Sequence, residues 1–116
     1  MDIRIVKDSI SKEELCNIAE QQFGYLVKVV VDIDQEIMAV GGEMHADEEV
    51  ILMEQEGSKR EYTWGINLYP EKSEEEWIEF DSVINIKPFY GNRSRGVDNP
   101  EVRIKIGNIV NKLIVK

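Results

Sequence analysis

Two arginines in a short glycine-bounded loop are the first residues of this chain that could do chemistry. They lie in Tyr90-Gly91-Asn92-Arg93-Ser94-Arg95-Gly96-Val97-Asp98-Asn99-Pro100. A guanidinium matches phosphate or carboxylate oxygens in a two-pronged fit. Asn92 and Ser94 add an amide and a hydroxyl, and a helix is predicted to begin just after Asn99. The start of a helix carries unsatisfied N–H groups and partial positive charge. The formal net charge of the chain is -9, so positive potential here stands out against a negative surface. Either Asn92, Arg93, Ser94 and Arg95 hold an anionic ligand or partner, or the two arginines clamp carboxylates of the chain itself. Alternation along an extended loop points Arg93 and Arg95 opposite ways, so both reach one ligand only if the loop curls. The glycine-rich phosphate loop of nucleotide-binding proteins is excluded, because its lysine and its spacing are missing.

Two other clusters carry titratable groups. Gly41-Gly42-Glu43-Met44-His45-Ala46-Asp47-Glu48-Glu49 holds the single histidine. His45 with Asp47 could bind a divalent metal or relay protons near neutral pH, but no second histidine completes a zinc signature. On a helix start the same acids are ordinary first-turn residues. The third cluster is Glu79-x-Asp81, read as part of a strand. Alternation then puts both carboxylates on one face, where they could hold Mg²⁺ or Mn²⁺ through oxygen. They could equally form a solvated strand face, or pair with Arg93 or Arg95 across the sheet. Trp64, with Gly65 and Asn67, and Trp77 read as core or edge packing, with a pocket wall as the alternative.

The elements that must position these groups follow from periodicity. Asp2 to Val6 reads as a short strand. Ser11-Lys12-Glu13-Glu14 is a capping box, followed by Leu15, Ile18, Ala19, Gln22 and Phe23 on one helical face and Gly24 as the stop. Leu26 to Ile33 is rich in β-branched residues and turns at Asp34-Gln35 into a second strand, Glu36 to Val40. Residues 46–56 fit a short helix, acidic at its start and ended by Gly57, although Val50-Ile51-Leu52-Met53 would also suit a strand. Tyr62, Trp64, Ile66 and Leu68 share one strand face. Trp77 to Lys87 predicts one or two further strands, closed by Pro88. Asn99 caps a final helix with Pro100 at its first position, and Val102, Ile106, Ile109, Val110 and Leu113 form its stripe. This order predicts one α+β domain over residues 1–116. Its sheet is largely antiparallel, and the N-terminal and C-terminal helices pack on one face.

Composition bounds the functional classes. A chain of 116 residues buries roughly two-thirds of its unfolded surface and needs no staple to fold. A single cysteine, Cys16, excludes an intramolecular disulfide and any cysteine-rich zinc module. No apolar run is long enough to span a membrane or to direct secretion, so a reduced, cytoplasmic location is expected. Residues 32–81 hold sixteen acidic against three basic residues, whereas residues 83–116 hold seven basic against two acidic. The overall negative charge disfavours extended nucleic acid.

Three runs also carry a resemblance: Gly41 through Asp47, Trp64-Gly65-Ile66-Asn67-Leu68-Tyr69-Pro70, and Ile84-Asn85-Ile86-Lys87-Pro88 through Gly96. Together they resemble a small uncharacterised family of short bacterial and archaeal proteins, grouped as a domain of unknown function. The resemblance spans nearly the whole chain and implies a stand-alone prokaryotic domain with no assigned activity. Three functions stay open at this point. One is a binding or regulatory module, homodimeric in one version, that recognises an anionic ligand or acidic partner through the arginine loop. Another is a metal-assisted phosphoester hydrolase built on His45, Asp47, Glu79 and Asp81. The third is a structural protein whose ion pairs are all internal.

Overall fold

The computed structural model describes residues 2–116. Strand β1 (Arg4–Val6) leads through a two-residue strand β2 (Ile10–Ser11) into helix α1 (Lys12–Gln21). The capping box forms as expected: Ser11 accepts the Glu14 N–H, and the Glu14 carboxylate reaches back to the Ser11 N–H. Strands β3 (Val27–Asp32) and β4 (Ile37–Val40) make the expected hairpin. Its turn is built on buried Asp32, whose Oδ1 accepts the N–H groups of Asp34 and Gln35.

Residues His45–Glu56 are helical (α2), so the acidic start and Gly57 prevailed over the β-branched run. Gly57 ends α2 in the left-handed conformation at φ 68°, which costs glycine little. Strand β5 (Thr63–Leu68), a two-residue strand β6 (Ile78–Glu79), helix α3 (Pro100–Leu113) and a last short strand β7 (Ile114–Val115) complete the chain. Asn99 caps α3 by accepting the Glu101 N–H, with Pro100 in its first turn.

The main sheet has the order β1-β4-β3-β5-β6, with every neighbouring pair antiparallel. A second sheet pairs β2 with β7 in parallel and ties the two chain ends together. Alternation splits the main sheet into two faces. Val27, Val29 and Val31 of β3 and Trp64, Ile66 and Leu68 of β5 join the apolar residues of α1 and α3 in one core. The N-terminal and C-terminal helices therefore share a face, as expected for this α+β class. Val30, Ile37 and Ala39 point the other way, onto Leu52 of α2 and Ile84. That opposite face is where the polar groups collect. Among the described residues no helix is long and apolar enough to cross a membrane.

The largest departure from the sequence reading lies after β6; α1 also stops at Gln21, which leaves Phe23 exposed rather than on its apolar face. Only Ile78 and Glu79 of the stretch Trp77 to Lys87 are in a strand. Residues Val83–Asn85 form a 3₁₀ turn instead, and a second one spans Pro88–Tyr90. A side chain takes over where the strand stops. Asn85 Oδ1 accepts the Gly65 N–H at 2.8 Å, and its Nδ2 donates to the Gly65 carbonyl at 2.9 Å. The amide thus mimics a neighbouring strand at the edge of β5, which removes the need for a continuous backbone there.

Candidate functional site

A cleft of about 350 Å³ opens on the α2 face, between the start of α2, the strands β3 and β5, and the segment that follows β6. Its lining includes Lys28, Glu43, His45, Asn67, Asp81 and Arg95. The floor follows from register. Lys28 lies opposite Asn67, and Asn67 opposite Glu79, so one rung of the sheet presents an ammonium, an amide and a carboxylate side by side. Asn67 Nδ2 donates to Glu79 Oε1 at 2.8 Å, and the Tyr69 hydroxyl meets the same oxygen at 3.0 Å.

Gly65 sets how closely the walls approach this floor. A Cβ there would sit 2.6 Å from Ser82 Cβ and Oγ and 3.1 Å from His45 Cγ. The missing side chain lets the first residue of α2 and the segment after β6 close in over β5. His45 is 8% exposed, and its Nε2 lies 2.7 Å from the Ile66 carbonyl. A carbonyl only accepts, so the proton sits on Nε2 and Nδ1 keeps its lone pair. Burial lowers the imidazole pKa to about 4, and the ring is neutral at physiological pH.

The far wall is an ion pair. Arg95 Nε donates to Asp81 Oδ1 at 2.7 Å, with both side chains about half exposed. The guanidinium beside Asp81 holds its carboxyl below the usual range, and the carboxylate raises the arginine in turn. This is the cross-sheet pairing the sequence left open as one alternative. It is also incomplete as a pairing, since only Nε and one carboxylate oxygen take part. Arg95 is placed through its backbone: its carbonyl accepts the Ser82 N–H at 2.9 Å and the Asn85 amide at 2.9 Å.

The start of α2 faces the same space. Its N-cap is Met44, which offers no side-chain acceptor. The first bonds of the helix run from Asp47 and Glu48 N–H to the Met44 carbonyl, so the N–H groups of His45 and Ala46 have no partner among the described residues. Unsatisfied N–H groups at a helix start favour negative charge.

The other expected site residues fall elsewhere. Asn92 is buried and fully committed: Nδ2 donates to the carbonyls of Asn85, Ser94 and Gly96, and Oδ1 accepts the Asp98 N–H. Ser94 Oγ donates to Asp98 at 2.6 Å. These bonds curl the loop, yet they do not bring the two arginines together. Arg93 is exposed, is not part of the cleft lining, and has no side-chain partner among the described residues. Asp47 is exposed on α2, away from the cleft lining. Glu79 is occupied by Asn67 and Tyr69. Among the described residues, no group of three or more His, Cys, Asp or Glu is arranged to hold a metal ion. Of the hydrolase set, only His45 and Asp81 share the cleft. Trp64 and Trp77 are 5% and 2% exposed and belong to the α1–α3 core rather than a pocket wall.

Sequence reasoning passed over Lys28 as a site residue and weighed Asn67 only as a neighbour of Trp64. Each is a polar residue in an otherwise apolar strand, flanked by buried valines or by Ile66 and Leu68. That interruption was the signal available. Residues 4–113 of the chain match the family described as "Protein of unknown function (DUF5674)". No curated protein and no solved structure matches it.

Proposed function

We propose that this chain, which belongs to that family of unknown function, is a small binding module that takes an anionic group, phosphate or carboxylate, in the cleft beside Arg95. The observation that carries the reading is the uncapped start of α2, which shares one cleft with Lys28 and with the half-used guanidinium of Arg95. An oxyanion there would accept from the His45 and Ala46 N–H groups and from the two Arg95 nitrogens that Asp81 leaves free. Among the described residues the ammonium of Lys28 makes no ion pair; it lies over the Phe23 ring, 5.4 Å from its centre. The arginine loop contributes one arm, Arg95, and its inner bonds are the scaffold that holds that arm. Arg93 lies outside this proposed site.

Thermal unfolding with inorganic phosphate or acetate, against chloride at equal ionic strength, tests the reading. An anion at ten times its Kd stabilises the folded state by about 1.4 kcal/mol, which raises the Tm of a domain this size by roughly 5–10 °C. The rise should vanish in Arg95→Gln and shrink in Lys28→Gln, and Arg93→Gln should keep it. No rise with either anion, or one that survives Arg95→Gln, refutes the cleft as an anion site. A rise lost only in Arg93→Gln moves the site to the outer loop.

A further inference from the structure

The cleft offers acceptors as well as donors, and the acceptors lack partners. Asn67 is 7% exposed. Its Nδ2 faces two acceptors, Glu79 Oε1 at 2.8 Å and the Asp81 carbonyl at 3.5 Å, so the amide can only be oriented with nitrogen on that side. Oδ1 is then buried with no donor. A buried acceptor left unpaired costs about 1–3 kcal/mol, and this one belongs to a residue lining the cleft. His45 Nδ1 is a second acceptor with no donor among the described residues, on a ring that burial keeps neutral. Asp81 Oδ2, on a half-exposed side chain, is a third acceptor that the pairing with Arg95 leaves open.

Formal charge on the lining is balanced. Lys28 and Arg95 stand against Glu43 and Asp81, so a bare anion is attracted by two of these groups and repelled by the other two. A molecule carrying both signs avoids that conflict. Unpaired N–H groups and a guanidinium, with open acceptors beside them, match a carboxylate with a protonated amine close by. The volume, about 350 Å³, is at the small end of ligand clefts.

Resting on the anion-binding reading above, we infer that the ligand is a small zwitterion of the α-amino-acid class. Its carboxylate sits at the start of α2 and Arg95, and its ammonium is directed to Asn67 Oδ1, His45 Nδ1 and Asp81. Recognition is divided in this arrangement. The donor side takes any small oxyanion, and the acceptor side rejects those without N–H groups, because Asn67 and His45 then stay unpaired.

Calorimetric titration of the intact chain with each standard L-α-amino acid, with propionate as the deaminated partner of L-alanine, and with inorganic phosphate tests this. At least one amino acid should bind about tenfold or more tightly than propionate, the ratio one charge-assisted hydrogen bond provides. The preference should collapse in Asn67→Leu. If propionate or phosphate binds as tightly as every amino acid, the zwitterion inference falls and the anion-binding reading stands. If neither the amino acids nor the simple anions bind, both fall. The ligand comparison uses the unmodified chain, so it decides the matter even if Asn67→Leu does not fold.

Discussion

Two buried titratable groups on α2 should oppose each other in the pH dependence of stability, and removing one should expose the other. Glu48 is fully buried on α2. Its Oε2 accepts the Gly42 N–H at 2.9 Å, and Oε1 has no partner among the described residues. Gly42 makes room for it, since a Cβ there would lie 2.7 Å from Glu48 Cγ. Burial pushes this carboxyl well above its ordinary value of 4.5. Above pH 4.5 the folded chain keeps a proton that the unfolded chain has released, so stability falls as pH rises until the folded pKa of Glu48 is passed.

His45 acts in the reverse sense. Its pKa drops from 6.5 to about 4 on folding, so between these values the unfolded chain holds the extra proton and stability rises with pH. The exposed carboxyls held low by their partners, those of Glu14, Glu36, Glu74, Asp81 and Asp98, titrate below this window. Between pH 4.5 and 6.5 the two α2 groups should therefore oppose each other, and the wild-type profile should rise less than His45 alone would make it rise. Glu48→Gln keeps the shape and the acceptor for Gly42 but has no proton to lose. In this variant stability should climb by about 2 kcal/mol across the window, the remaining His45 contribution. Adding His45→Gln should flatten the profile. Urea denaturation at half-unit pH steps, with m-values checked for constancy, measures all three curves. Parallel profiles for wild type and Glu48→Gln would refute the protonated, buried carboxyl and its opposition to His45.

Two substitutions test how the cleft is built. Gly65→Ala places a methyl 2.6 Å from the Ser82 side chain; it should cost about 1–3 kcal/mol in urea denaturation and shift the His45 ring resonances, and a neutral result would mean the walls are not held at contact by Gly65. Asn85→Ala removes a fully buried amide that serves the Gly65 N–H and the carbonyls of Gly65 and Arg95. It should cost roughly 3 kcal/mol and weaken phosphate or acetate binding through Arg95; a loss under about 1 kcal/mol would show that the strand mimicry is dispensable.

Local chemistry was legible wherever one short segment contained both partners. The Ser11–Glu14 capping box, the Asn99-Pro100 helix start, the β3–β4 hairpin and the apolar face of β5 each depend on residues within a few positions of one another. The reading of Trp77 to Lys87 failed for the opposite reason. Its alternation looked like a strand, and only contact with Gly65, far away in the chain, shows that the Asn85 side chain replaces the strand backbone. The arginine loop was legible in composition but not in geometry. Which guanidinium turns inward depends on Asn92 pinning the loop and on Ser82 and Asn85 holding the Arg95 carbonyl.

The amino-acid sequence alone determined most of the element types, the Ser11 and Asn99 caps and the buried face of β5, because these follow from periodicities of a few residues and from side chains bonding to nearby backbone. It also contained His45, Asp81 and Arg95 as candidates, and the Asp81–Arg95 pairing as one alternative. Only the tertiary structure decided that these three meet Lys28 and Asn67 in one cleft, while Arg93 and Asp47 stay outside. That choice depends on the sheet order β1-β4-β3-β5-β6, on the rung that aligns Lys28 with Asn67, and on a glycine at position 65 that lets α2 and the post-β6 segment approach β5. Each is a contact between distant parts of the chain, and no local pattern encodes it.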